Sequence, residues 1–254
     1  MKKGILLLTL LFSFKAALLE AAPLIGALSP HHDIAAPMID ALYVRLAELC
    51  PNPPRVVLIG PDHYLRARRN IVHCGHDWST PSGPLRADRE GAERLQRTGA
   101  ALSHDSIFSR DHSITEHIPR VRRFFGDVPV LPLLVRSSAS DLQVLRVRRI
   151  LELLLEDGGI VVLSMDLSHY KPRAQSDAED EKSLRAIQNF ELNRLNSLDI
   201  DSPRGARLFL SLMKALDATQ TLLMERGNSS DTLSNATRTT GHATMLFSPP
   251  NPQP

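Results

Sequence analysis

Three short aliphatic runs constrain this chain more than any other feature. Leu24 to Ser29, Arg55 to Gly60 and Gly159 to Met165 are almost continuously apolar, and each breaks off into polar residues. Such runs between breakers predict strands covered on both faces, because a strand with one wet face would alternate instead. Between them lie stretches of helical period. Ile34 to Cys50 repeats Ile34, Met38, Leu42, Leu46 and Leu49 on one face, then stops at Pro51 to Pro54. Asp88 to Thr98 predicts a polar helix, Asp141 to Glu156 an amphipathic one, and Ala178 to Asn193 and Arg204 to Leu216 two more. Ser113 to Phe125 predicts a helix interrupted near Pro119, with Ser113 as its cap and Glu116 completing a capping box. Asn70 to Cys74, Val128 to Val135, Thr219 to Glu225 and Thr239 to Phe247 predict further strands. Strands alternating with helices imply an α/β fold: a single-domain three-layer sandwich, with helices on both faces of a mixed, largely parallel sheet.

With 254 residues, 43% hydrophobic, the chain can bury a large core, and no repeat or Gly/Ser-rich linker divides it. Lys and Arg number 30 against 28 Asp and Glu, a balance of +2 that argues against nucleic acid as partner. Residues 1–22 stand apart. Lys2 and Lys3 precede an apolar run from Gly4 to Phe14, then Lys15 and the stretch Ala16 to Ala22. This is the pattern of a signal-like or membrane-tethering leader, and the expectation is an exported or tethered protein, the alternative being a cytoplasmic one whose N-terminal element is buried. Residues 23–247 form the domain, and 248–254 a Pro-rich tail. Cys50 and Cys74 could pair in an oxidising compartment or lie buried as small hydrophobes. No GxGxxG, Walker A or GxSxG stretch occurs, so neither a nucleotide cradle nor a nucleophile elbow is supported. Arg146, Arg148 and Arg149 read as a solvated helix face.

Chemistry gathers where the apolar runs end. The first runs into Ser29-Pro30-His31-His32-Asp33, the second into Pro61-Asp62-His63, the third into Asp166-Leu167-Ser168-His169. Ligands of open α/β sheets collect beyond the carboxyl ends of the strands. If the three strands are parallel neighbours, His31, His63, Asp166 and His169 meet at one edge. A fourth cluster runs from Asp111 to His117, where His112 and His117 are five apart and cannot share a helix face.

At these clusters the sequence resembles the Memo-like family, also called AmmeMemoRadiSam system protein B, which is similar in fold to class III extradiol ring-cleaving dioxygenases. The matching stretches are Ser-Pro-His-His at 29–32, Ile-Gly-Pro-Asp-His at 59–63, Asp-His-Ser-Ile-Thr-Glu-His-Ile-Pro at 111–119 and Met-Asp-Leu-Ser-His-Tyr at 165–170. They keep the family's order from about Leu24 to Phe247. The resemblance implies that the histidines of the first two motifs are metal ligands; by position these are His31 and His63, with His32 as the adjacent alternative. Many members supply a cysteine before a late helix as third ligand. Asp201 stands at that place here, both as a carboxylate ligand like that of the related dioxygenases and as an N-cap of the helix that follows.

The resemblance further implies His169 as acid/base, Asp166 as the residue orienting an imidazole, and His112 as a contact to substrate, with His242 at most behind the ligands. Two imidazoles and a carboxylate suit Fe(II), with Zn(II) or Cu as alternatives. The function expected on this resemblance is a non-haem metal-dependent oxidoreductase of extradiol type acting on an unknown small substrate. The competing readings are an exported metal-binding or redox protein, a module whose cleft binds a small-molecule or peptide partner, and a metal-assisted hydrolase.

Overall fold

Residues 22–250 are described by the computed structural model. The expected sandwich is what they form. Four parallel strands make the centre: β1 (Leu24–Ser29), β2 (Val56–Pro61), β7 (Val130–Val135) and β8 (Gly159–Ser164), in the spatial order β1-β8-β2-β7. On one side β11 (Thr239–Ser248) pairs antiparallel with β1, and β10 (Gln220–Asn228) pairs antiparallel with β11. On the other, β3 (Ile71–His73) runs antiparallel to β7 and carries the two-residue β6 (Leu102–Ser103). A short β9 (His169–Lys171) joins the start of β11. A separate hairpin pairs β4 (Trp78–Thr80) with β5 (Gly83–Leu85).

The continuity of the apolar runs follows from coverage on both faces. In β8, Val161 and Leu163 point into one core while Ile160 and Val162 point into the other. β2 divides the same way, Val57 and Ile59 against Val56 and Leu58. The first core is completed by α5 (Asp141–Leu154), α7 (Pro203–Ala215), and residues of α2 (Arg89–Thr98) and α6 (Arg173–Gln188). The second is closed by α1 (Ala36–Leu49) and α4 (Ile118–Phe125). Gly26 on β1 lets α7 approach: a Cβ there would collide with Sδ of Met213 and press on Phe209.

Several local expectations are corrected. The helix predicted over Ser113 to Phe125 is two, α3 (His112–Thr115) and α4, and the break falls before Pro119, at Glu116 and His117. Ser113 does not cap; the Asp111 carboxylate accepts from the Ser113 backbone N–H, and the Ser113 hydroxyl donates to Asp111 and to the Pro61 carbonyl. α6 begins five residues before Ala178, behind Pro172, because its first turn is polar and held by the Arg173–Asp177 pair rather than by an apolar stripe. Cys50 and Cys74 are free, buried thiols. Residues 1–21, most of the leader, and 251–254, the end of the tail, lie outside the described residues. Among the described residues no helix is long and apolar enough to cross a membrane.

Candidate metal centre

The parallel register decides where the polar clusters go. Ser29 at the end of β1 pairs with Ser164 at the end of β8, and Ile59 of β2 pairs with Leu163. The chain therefore leaves three adjacent strands at one level, and His31, Asp166 and His63 each follow two residues beyond a strand end. Asp201 arrives from the segment before α7, with its backbone N–H donating to the Asp166 carbonyl at 3.3 Å.

The side chains converge. Nε2 of His31 lies 3.0 Å from Oδ2 of Asp201 and 3.3 Å from Oδ2 of Asp166, and Nε2 of His63 lies 3.7 Å from the same Asp201 oxygen. The His31 and His63 rings stand edge to face with centroids 4.8 Å apart. Each ring is steered from its far nitrogen. His31 Nδ1 is 3.0 Å from Ser164 Oγ, and His63 Nδ1 donates to Asp111 Oδ1 at 2.8 Å. Both rings thus keep Nε2 free toward the centre, the usual way a ligating imidazole is oriented. Asp201 does not cap α7; Ser202 holds the N-cap position without a side-chain cap bond, and Oδ2 of Asp201 faces both histidines.

His112, at the start of α3, stacks on His63 at 4.0 Å and meets the edge of His31 at 5.0 Å. His32 turns away from His31 and brings Nδ1 against Oδ2 of Asp166. His242, on β11, lies 5.7 Å from His32 between centroids. His169 sits farther out, 6.1 Å from His32, with Nδ1 donating to the Leu167 carbonyl at 2.8 Å. Donor atoms within 4.8 Å of one another form three sets: His31, His63 and His112; His31, Asp166 and Asp201; and His32, Asp166 and His242. His117, by contrast, is buried against Tyr43, its Nδ1 3.2 Å from the phenol oxygen.

Charge in this pocket is out of balance with its burial. Burial opposes ionisation of Asp166, yet His31, His32 and His242 outweigh it and hold the carboxyl well below the usual range. Burial likewise opposes ionisation of Asp201, and His31 and His63 again prevail. For His63, burial lowers the pKa but Asp111 and Asp201 raise it more, to about 9. His112 is pushed down to about 4, by burial first and then by His63 and His31, so it stays a neutral imidazole. His31 Nε2, His242 Nε2, Asp166 Oδ2 and both oxygens of Asp201 are buried without a hydrogen-bond partner, because their close neighbours lack hydrogen-bond alignment. Unsatisfied buried acceptors cost about 1–3 kcal/mol each, and more when charged. Divalent cations are the partners that such lone pairs lack, so the residues present fit metal binding.

Two cavities open onto the cluster. One of about 220 Å³ is lined by His63, Asp201 and Arg204; the other, of about 490 Å³, by His32, His242, Tyr170, Thr240 and Arg238. The structure brings His31, His63, His112, Asp166 and Asp201 into one neighbourhood and puts His169, expected at the same edge, at its rim, 6.1 Å from His32. Asp111 and Ser164, which the sequence did not single out, steer the His63 and His31 rings, and His32 and His242 group with Asp166. The signal for Asp111 was its adjacency to His112; for His242, its position on a strand following a glycine.

The fold and the donor set define a class: a doubly covered α/β sandwich with a His/Asp cluster that could hold a metal ion at the carboxyl ends of its parallel strands. The chain belongs to the Memo-like protein family, whose pattern it matches over residues 7–246, a match that begins inside the stretch set apart as a leader. It is 29% identical to a MEMO1 family protein of Pyrobaculum aerophilum, over 88% of this chain and 83% of that one. It is 25% identical to a MEMO1 family protein of Aquifex aeolicus, over 77% and 76% of the two chains. Among solved structures, an uncharacterised protein of Escherichia coli K12 superposes with a TM-score of 0.60 at 15% identity, over 88% of this chain and 99% of that one, a likeness of fold.

Proposed function

We propose that this Memo-like protein is a non-haem metal-dependent oxidoreductase of extradiol type, with a divalent cation, Fe(II) foremost, held by His31, His63 and Asp201. The observation that carries the reading is the approach of both Nε2 atoms to the one Asp201 oxygen, with each opposite ring nitrogen already occupied. Held by two imidazoles and one carboxylate, an iron would supply open positions at which dioxygen and a small substrate with adjacent oxygens could meet. The protein's own groups do the rest. Asp166 accepts from the His31 backbone N–H at 3.2 Å and holds the loop that presents the ring. His112, neutral at physiological pH, stacks on His63 beside the proposed ligands and is placed to contact a substrate hydroxyl. His169 donates through Nδ1 to Leu167, which leaves Nε2 as the free base to take a proton from substrate. Sequence alone supports export or tethering through residues 1–22.

The test is elemental analysis of protein purified anaerobically, followed by exposure to catechol in air. Iron bound to the wild type, lost in Asp201→Ala, with dioxygen uptake matched to a ring-opened product, supports the reading. Cation binding without ring opening would leave a metal-binding or redox protein. Ester hydrolysis without oxygen uptake would move the activity to a hydrolase on the same ligands.

A further inference from the structure

We propose that the pocket is built for two cations, the second held by His32, Asp166 and His242. Of the three donor sets, two have no residue in common, His31, His63 and His112 on one side and His32, Asp166 and His242 on the other; the third, His31, Asp166 and Asp201, takes one residue from each and adds Asp201. The two adjacent histidines diverge between them. His31 aims at Asp201 and His63, while His32 lies with His242 and His169, and the rings of His31 and His32 are 5.9 Å apart.

The second set has the marks of a site in its own right. His242 and Asp166 are 3% and 0% exposed, and His242 Nε2 and Asp166 Oδ2 are buried there without hydrogen-bond partners. A buried carboxylate is costly to keep charged unless it is paired or coordinates a metal, and this one faces imidazole nitrogens without an aligned hydrogen bond to Oδ2. The backbone holds the set in place. Asn228 closes the β10–β11 end through Thr239 at 3.1 Å, and the Gly241 N–H donates to the Ser168 carbonyl at 2.9 Å, so the β11 end carrying His242 is tied to the loop that carries Asp166. Each set also has its own mouth: the smaller cavity reaches His63 and Asp201, the larger one His32 and His242.

Asp166 is the hinge between the sets. Its Oδ2 lies 3.3 Å from His31 Nε2 and touches His32 Nδ1. A carboxylate in that position can bridge two ions, as in two-metal sites whose ions sit about 3.5–4 Å apart. Two imidazoles and a carboxylate at the second set suit Mn(II), Fe(II) or Zn(II). This inference rests on the proposed first site for its partner ion but not for its own ligands.

The experiment is titration of chelator-treated full-length protein with Mn(II), read as bound ions per chain after gel filtration and by electron paramagnetic resonance. The wild type should bind two, with an exchange-coupled spectrum. His242→Ala should bind one, uncoupled, and His32→Ala, at a half-exposed position where folding is not at risk, should do the same. His63→Ala should also bind one, retaining the second site. One ion in the wild type, or two retained in both His242→Ala and His32→Ala, overturns the proposal. Two ions in Asp201→Ala and His63→Ala, with one in His242→Ala and His32→Ala, would keep the second site and show that the other ion is not held by His63 and Asp201.

Discussion

Asp111 grips His63 with both of its oxygens: Oδ1 accepts from ring Nδ1 at 2.8 Å, and Oδ2 accepts from the His63 backbone N–H at 3.1 Å. The same carboxylate caps α3 through the Ser113 N–H. The orientation of a proposed ligand and the start of the helix carrying His112 are thus fixed by one side chain. Asp111→Asn removes the charge that makes the His63 imidazole a strong donor. Cation affinity should fall about 10–100-fold, with only a modest loss of stability. Competition against a chelator of known affinity measures it, and unchanged affinity would detach Asp111 from the site.

His169 belongs to neither of the proposed ligand sets, its ring centroid lying 6.1 Å from that of His32. His169→Ala should therefore leave the number of bound ions unchanged while turnover drops by about 10²–10⁴. His169→Gln, which can still donate to the Leu167 carbonyl but cannot carry a proton between pH 5 and 8, should be no better than alanine. Turnover restored by glutamine would show a role in positioning only.

His117 gives the fold a pH dependence of its own. Burial first, then the charges of His31 and Arg120, push its pKa down to about 3. An unfolded histidine titrates near 6.5. Below that value the unfolded chain takes up a proton that the folded one refuses, so the contribution is absent above pH 6.5 and stability drains away as pH falls toward 3. Between pH 7 and 5 the cost is about 2 kcal/mol from this group. His117→Gln, which can still meet the Tyr43 hydroxyl, should lose that much less over the same interval in urea unfolding of chelator-treated protein. Parallel pH curves for the two proteins would rule the account out.

Gly241 is where β11 passes the buried Asp180 carboxylate, which accepts from the Ser168 N–H at 2.9 Å. A Cβ at 241 would collide with both Asp180 oxygens. Gly241→Ala should cost about 1–3 kcal/mol, seen as a lower melting temperature. Because Ser168 and His242 flank this contact, the variant should also bind Mn(II) less tightly. A melting point equal to the wild type would mean that the strand shifts freely here.

The central strands were readable because β1, β2 and β8 are sealed on both faces, and a sealed strand leaves an unbroken apolar run. β4, β5, β6 and β9 were not, since two or three residues cannot display a period. His31, His63 and Asp166 could be placed at one edge from their positions after such runs. Asp111 as the support of His63 could not: the two are 48 residues apart, and only the crossing of α3 over the end of β2 brings them together. The grouping of His242 with His32 and Asp166 was not legible for a similar reason. Its neighbours come from the first and third strand ends, and the pairing of β11 with β1 that assembles them leaves no trace in local spacing. Asp201 looked equally suited to capping; packing decided, by turning its carboxylate inward.

β1 lies between β8 and β11, so the earliest described strand is locked in place by the latest. A nascent polypeptide that has not yet released Thr239 to Ser248 from the ribosome lacks one flank of β1 and all of His242. Contacts this distant along the chain form late in folding. The proposed second cation site, which needs His242, is therefore incomplete until the last described strand has been made and paired.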